Sequence, residues 1–393
     1  MSENIEADYP AAGSGAWTMK RAGASDFWKY LVSLLWDWRN VVLAVAGMER
    51  NMYYTTLNYY IGLFDSAERE FAFAAGTTEE FQRWKQALRE RLGDISGMNR
   101  CIPCEPDHEI LGQVQVEGFQ AEYHTLETEP GIWMPFYLLK PSGFPDQAQN
   151  GGKGLPILII PHGHGGGKET VLKGQKKFVQ EALDDGFVVA CPDERGSGDR
   201  REFPQQGDDP DKRRSNSHRE LLQVGINFGR TVIGTAVWDL MRLADHLLSL
   251  SETGEFLACA GMSGGGQQAL WFAALDDRVR AAITSGYFYG FRESLLELPQ
   301  NCACNFVPHL FETADMGELG ALIAPRPFFV ESGEKDPLSG RSGVENVRRQ
   351  LDVTRKAYGL FHAQDKVIHS VHPGGHQWVG AGMREFLRKA QYL

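Results

Sequence analysis

The sequence predicts an α/β fold: a mostly parallel sheet flanked by helices, with a helical extension at its N-terminus. Three observations predict it. From Leu155 onward, short apolar runs rich in Val, Ile and Ala alternate with longer helical stretches, the pattern of a parallel sheet covered on both faces. Just before, the stretches "GQVQVEGFQAEYHTLET" and "GIWMPFYLLKPSG" alternate polar and apolar residues and turn at Gly118, as antiparallel strands do. Residues 17–97 contain no proline and are rich in Trp, Tyr, Leu and Ala, as a helical segment would be. The domain reading is therefore a helical N-terminal extension or cap over 1–105 and an α/β domain over 106–393.

The elements follow in order. In "TTEEFQRWKQALRERLGD", Phe81, Trp84, Leu88 and Leu92 recur at helical spacing and Thr78 is placed to cap the helix. Strands are expected at Leu155–Pro161, in "GFVVACPDE", "EFLACAG", "VRAAITSG", "RPFFVESG" and "KVIHSVH". Helices are expected from about Lys168 to Asp184, in one long run from about Ser217 to Leu250, and directly after Ser263. The segment 286–320 is longer than a strand-to-strand crossover requires and reads as a lid or pocket wall.

Catalytic features fall at the carboxyl ends of these strands, where sheets of this kind carry their sites. Gly261-Met262-Ser263-Gly264-Gly265 fits the G-x-S-x-G elbow. A serine there sits on a sharp strand-to-helix turn, and small residues two before and two after let strand and helix pack closely. A serine hydroxyl needs a base. Of 11 histidines, His376 is chosen because it follows a Gly-Gly turn and opens the last helical segment. His372 is the alternative, and His369 lies inside a strand. The acid that orients the imidazole is assigned to Asp336, with Glu331 and Glu334 competing. The glycine-rich "PHGHGGGKE" after the Leu155 strand supplies an oxyanion donor, taken as the backbone N–H of His164 with Gly165 as alternative; Gly264 supplies the other.

Other features have plainer readings. His162 and His164 share a loop but lack a third ligand at suggestive spacing, and Cys101-x-x-Cys104 with Cys302-x-Cys304 is poorly spaced for a four-thiolate zinc site. No metal and no cofactor are expected, and the six cysteines read as separate reduced thiols in a cytoplasmic protein. Tyr287 and Tyr289 are assigned to substrate binding. Tyr53, Tyr54, Tyr59 and Tyr60 read as core. The charges Lys29, Asp37 and Arg39 exclude Trp28–Met48 as a simple membrane span, and a net charge of -11 argues against nucleic-acid binding. The expected partner is a small-molecule ester; a homo-oligomer is left open.

Taken together, "HGHGG", "PDERGSGDRRE", "GMSGGG", "ALIAPRPFFVESGEKDP" and "HPGGHQW" resemble the α/β-hydrolase esterases of the acetyl xylan esterase-like group, near the dienelactone hydrolases. The resemblance covers about Glu109 to the C-terminus. It implies the α/β-hydrolase fold, a triad of Ser263, Asp336 and His376, and carboxylic-ester hydrolysis through an acyl-enzyme. It also implies that Asp193 and Arg195 shape the floor of the site, where a salt-bridged loop support is the plainer role. Lactone, amide or carbon–carbon bond hydrolysis on the same triad, and a catalytically silent binding module, are the alternatives.

Overall fold

Strand-forming sequence from His108 onward assembles into one nine-stranded sheet in the computed structural model, which describes residues 56–105, 107–143, 154–202, 216–298 and 301–392. The strands are β1 (His108–Val116), β2 (Phe119–Glu129), β3 (Ile132–Leu139), β4 (Leu155–Ile159), β5 (Val188–Pro192), β6 (Thr253–Met262), β7 (Val279–Ser285), β8 (Phe328–Gly333) and β9 (Val367–His372). Their order is β1-β2-β3-β5-β4-β6-β7-β8-β9. The first three strands and β5 pair antiparallel; β5, β4, β6, β7, β8 and β9 run parallel. The turn joining β1 to β2 is made by Glu117 and Gly118, both at positive φ (52° and 88°), the conformation of a tight hairpin turn.

The parallel strands are buried on both faces, which explains their continuous apolar character. Ile157, Ile159, Leu257 and Cys259 face one layer of core; Leu158, Ile160, Ala258 and Ala260 face the other. Strand order reverses at β4, which lies between β5 and β6. The loops leaving β4 and β6 therefore emerge side by side at the place where sheets of this type form crevices.

The helix Thr78–Ser96 buries Phe81, Leu88 and Leu92 completely in the larger core. Its cap is Thr77 rather than Thr78: the Thr77 hydroxyl accepts from Glu80 N–H, and Glu80 reaches back to Thr77 N–H. The two threonines are equivalent by residue type, and the Glu three positions on selects Thr77. The run expected as one helix from Ser217 to Leu250 is two, His218–Gly225 and Val232–Ser249. Gly229 breaks it at φ 67°, and Thr231 caps the second helix by accepting from Gly234 N–H. The break also lets Thr231 hydrogen-bond to Ser96 O, and a Cβ at Gly234 would collide with that same carbonyl. The stretch Lys168–Asp184 is likewise two helices, Glu169–Gly174 and Lys176–Asp184.

Tyr59 and Tyr60 are exposed at 65% and 55%, not core as expected. Nearly all of the unit Met1–Thr56 lies outside the described residues, and with it Tyr53, Tyr54 and Trp28–Met48. Among the described residues, no helix is long and apolar enough to cross a membrane.

Candidate active site

Strand β6 ends at Met262 and the helix Gly264–Leu275 begins two residues later, leaving Ser263 alone to make the turn. Its backbone sits at φ 57°, ψ −119°, a conformation L residues rarely adopt. Such strain persists only where the surroundings enforce it. Here the Ser263 N–H donates to Ser285 O at the end of β7 (2.8 Å). The flanking glycines are sterically required. A Cβ at Gly261 would strike Gly265 O, and one at Gly265 would strike Pro161 O on the neighbouring loop. Gly266 has a similar reason: its Cβ would lie 2.9 Å from both Ser285 O and Thr284 Oγ1. All three glycines let the helix start press against strand ends. The first amides of that helix have no intrahelical acceptor and carry the positive end of its dipole.

His376 and Asp336 come from the loops after β9 and β8. His376 Nδ1 lies 2.8 Å from Asp336 Oδ2. Asp336 is 4% exposed, and its other oxygen accepts from Leu338 N–H, which fixes the carboxylate plane. Both pack against Gly286, the residue after Ser285. A Cβ there would lie 3.0 Å from His376 Cε1 and 3.5 Å from Asp336 Oδ2. The end of β7 is thus common ground, holding Ser263 through Ser285 O and cradling the His–Asp pair at Gly286.

Glu331, the competing acid, has a different position. It is 1% exposed and accepts from Ser285 Oγ (2.8 Å), Val379 N–H (3.1 Å) and Gly380 N–H (2.8 Å). It ties the loop following His376 to the strand that anchors Ser263. Glu334 is exposed, and the imidazole's carboxylate partner is Asp336. His372 Nδ1 accepts from Gly374 N–H, and His369 Nε2 meets Ser332 Oγ within the sheet.

The loop after β4 lies against the elbow. A Cβ at Gly163 would approach Met262 O at 2.9 Å and Ser263 Cβ at 3.6 Å, and the His164 imidazole covers Gly264 so closely that a Cβ there would meet Nε2 at 2.8 Å. His162 turns inward instead, contacting Gly163 O through Nδ1 and accepting Glu194 N–H at Nε2. The loop's exit is held by a buried ion pair. Lys168 and Asp193 have fully buried side chains, Nζ to Oδ2 2.8 Å, and Asp193 Oδ1 also takes the Lys168 N–H. Arg195 is bridged to Asp239 and Glu129. Asp193 and Arg195 therefore act as loop supports in this structure; residues 203–215 of the same charged stretch lie outside the described residues.

Tyr287 and Tyr289, assigned to substrate contact, are only 4% and 3% exposed and belong to the hydrophobic core. Burial pushes both phenols well above their ordinary pKa. Tyr287 donates to Asn305 Oδ1 and its ring meets Tyr289 at 5.2 Å. The segment 286–320 that carries them packs inward through Phe288, Phe291, Leu310, Met316 and Leu319.

Sequence reasoning missed one cluster. Cys302 and Cys304 do not join Cys101 and Cys104; they meet two histidines. His164 Nε2 lies 3.1 Å from Cys304 Sγ, and His218 Nδ1 lies 3.0 Å from Cys302 Sγ. Hydrogen bonding from Cys304, together with the two imidazoles, holds the Cys302 thiol far below the usual thiol range, while burial pushes Cys304 up. The H-x-H and C-x-C spacings were visible, but the paired residues stand 140 and 84 positions apart and His218 has no motif around it.

No protein-family model matches the chain. The Bacillus subtilis (strain 168) protein YtaP, whose name is that of a hydrolase, is 28% identical over 216 residues, spanning 52% of this chain and 68% of its own. Among solved structures, a Bacteroides fragilis NCTC 9343 protein named as an acetyl xylan esterase superimposes with a TM-score of 0.66 at 17% identity, over 83% of this chain and 84% of its own. A glucuronoyl esterase from Solibacter usitatus gives 0.60 at 15% identity, over 83% and 97%. Identities this low speak to architecture, which in this chain is an antiparallel lead-in, a strand order reversing at β4 and a serine turn after β6. The chain has the α/β-hydrolase fold.

Proposed function

We propose that the protein is a serine hydrolase that cleaves carboxylic esters through an acyl-enzyme on Ser263. The observation that carries this is the convergence at the end of β7: a strained serine anchored on Ser285, and a His376–Asp336 pair at 2.8 Å packed on Gly286. With Nδ1–H donated to Asp336, His376 keeps its Nε2 lone pair for the Ser263 proton. Ser263 Oγ attacks the ester carbonyl, and the oxyanion is met by the N–H of Gly264 and by that of His164 on the adjacent loop. His376 then returns the proton to the leaving alkoxide. Water, deprotonated by the same imidazole, releases the acid. Asp336 stays ionised throughout and stabilises the imidazolium.

Relatives named for acetyl xylan and glucuronoyl ester cleavage support an ester of a carbohydrate or small molecule as substrate. A reducing, cytoplasmic setting fits six free cysteines. The test is a panel of short acyl esters, acetylated sugars, sugar uronate esters, lactones, amides and vinylogous ketones, run with the wild type and Ser263→Ala. Ester turnover abolished by Ser263→Ala is expected. Turnover confined to lactones, amides or carbon–carbon substrates would replace the ester assignment, and turnover untouched by Ser263→Ala would remove Ser263 from the chemistry.

A further inference from the structure

We propose that His164, His218, Cys302 and Cys304 form a tetrahedral site for a zinc-type divalent cation, which clamps the loop after β4 to the β7–β8 crossover. One ligand atom from each residue can be chosen so that all four lie within 4.8 Å of one another. A tetrahedral ion with bonds of about 2.3 Å to sulfur and about 2.0 Å to nitrogen would set ligand atoms roughly 3.3–3.8 Å apart, so the set needs only small rotations to close on a metal. Two thiolates and two neutral imidazoles balance a 2+ charge, and the N₂S₂ set in this geometry favours zinc. On binding, the site releases to solvent whatever protons its thiols and imidazoles still hold, and four N or S bonds to the ion replace bound water.

The surroundings are those of a ligand shell. His218 directs Nδ1 into the cluster, while its Nε2 faces Glu194 Oε2 at 3.4 Å and Ser197 Oγ at 3.4 Å. A carboxylate behind a histidine fixes the tautomer that leaves the other nitrogen free to ligate. Each sulfur has an amide N–H directed at it: Asn216 Nδ2 to Cys302 Sγ at 3.9 Å and Asn305 Nδ2 to Cys304 Sγ at 3.7 Å. Gln267, from the helix that starts at the elbow, donates to Cys304 O. The ligands come from three separate segments: the loop after β4, the first residue of the helix His218–Gly225, and the turn Ala303–Asn305 together with Cys302, which precedes it.

Four protein ligands make a closed site, which assigns the ion a structural role and leaves bond cleavage to other groups. Its lever is His164. That imidazole rests on Gly264, so fixing it fixes the backbone of the loop beside Ser263. The site itself stands whether or not Ser263 proves to be a nucleophile, since it is read by metal content.

The experiment uses the full-length chain, incubated with zinc, freed of loose metal by gel filtration and measured by elemental mass spectrometry. About one zinc per chain is expected, bound by the protein as a structural site binds it. Cobalt loaded into the metal-free protein should give visible d–d bands of tetrahedral cobalt and a thiolate charge-transfer band. Cys302→Ser with Cys304→Ser should lose both zinc and bands while keeping the wild-type circular dichroism. Cys101→Ser with Cys104→Ser should keep them. Glu194→Gln should weaken zinc binding by about 10–100-fold. A wild type without zinc after incubation, or zinc that survives loss of Cys302 and Cys304, overturns the proposal. Should the double variant misfold, the cobalt spectrum of the wild type decides: bands lacking thiolate character refute the site.

Discussion

Replacing Glu331 with Gln removes one charge and one acceptor from a carboxylate that holds three donors. Ser285 Oγ and Val379 N–H share Oε1, and Gly380 N–H takes Oε2. A glutamine offers one acceptor oxygen, so its NH₂ would face a backbone N–H or the serine hydroxyl. The hydroxyl can rotate; a backbone N–H cannot. One buried donor left without a partner costs about 1–3 kcal/mol, and the remaining bonds lose their charge assistance. Val379 is partly exposed, so water recovers some of this. A loss of about 2–3 kcal/mol in urea unfolding is expected. The functional effect should exceed what stability alone explains. Val379 and Gly380 follow His376 by three and four residues, so releasing them lets the imidazole drift. A misplacement of about 1 Å costs about 100-fold in rate, which sets the expected fall in kcat on a chosen ester, with KM little changed. The assay is steady-state kinetics beside urea titration, at a temperature where the variant is fully folded. A variant with wild-type kcat would refute the idea that Glu331 positions the His376 loop. Wild-type stability would refute the hydrogen-bond argument itself.

Three further outcomes follow from the same contacts. Lys168→Met removes the ammonium from buried Asp193 and leaves its charge only the N–H groups of Lys168's position and Asp199, and a destabilisation of about 3–5 kcal/mol is expected in urea unfolding; less than about 1 would show the pair to be hydrated. Gly265→Ala drives a Cβ into Pro161 O and should cost about 3 kcal/mol or more, whereas Gly174→Ala, with open space around it, should be neutral or stabilising; equal effects would contradict the packing account of the elbow. Burial, reinforced by the charges of His108 and His124, pushes His246 down to about 4. The unfolded chain then binds a proton that the folded chain refuses, so stability is lost as pH falls from about 6.5 toward 4. Thermal melts across that range should show the decline, shallower in His246→Leu; an identical slope in both would assign the acid sensitivity elsewhere.

What the sequence discloses depends on how local the determinant is. The elbow is written in five consecutive residues, because the constraint is the close approach of one strand and the next helix, and Gly261 and Gly265 face each other in the structure. Asp336 and His376 are legible as residues at strand ends, but choosing Asp336 over Glu331 needs three dimensions. Both acids leave the same strand, and only the fold shows one on the imidazole and the other on the Val379–Gly380 backbone. The split of the 217–250 helix was hidden because its cause is distant: Gly229 and Thr231 turn to meet Ser96. Tyr287 and Tyr289 suit either a pocket or a core by sequence, as aromatic residues near a strand end do, and the fold shows both buried. The His–Cys cluster was the least legible, since its four residues are drawn from three segments that nothing in the sequence links.

Treatment of the full-length wild type with a fluorophosphonate probe, followed by peptide mapping, tests the central claim most directly. The hydroxyl of an activated serine attacks the probe's phosphorus, displaces fluoride and keeps the phosphonyl group; an ordinary surface serine does not. The account predicts a single stoichiometric adduct on the peptide containing Ser263, lost in Ser263→Ala and slowed greatly in His376→Ala. A folded wild type that forms no adduct at Ser263, or labels equally well without His376, would contradict it.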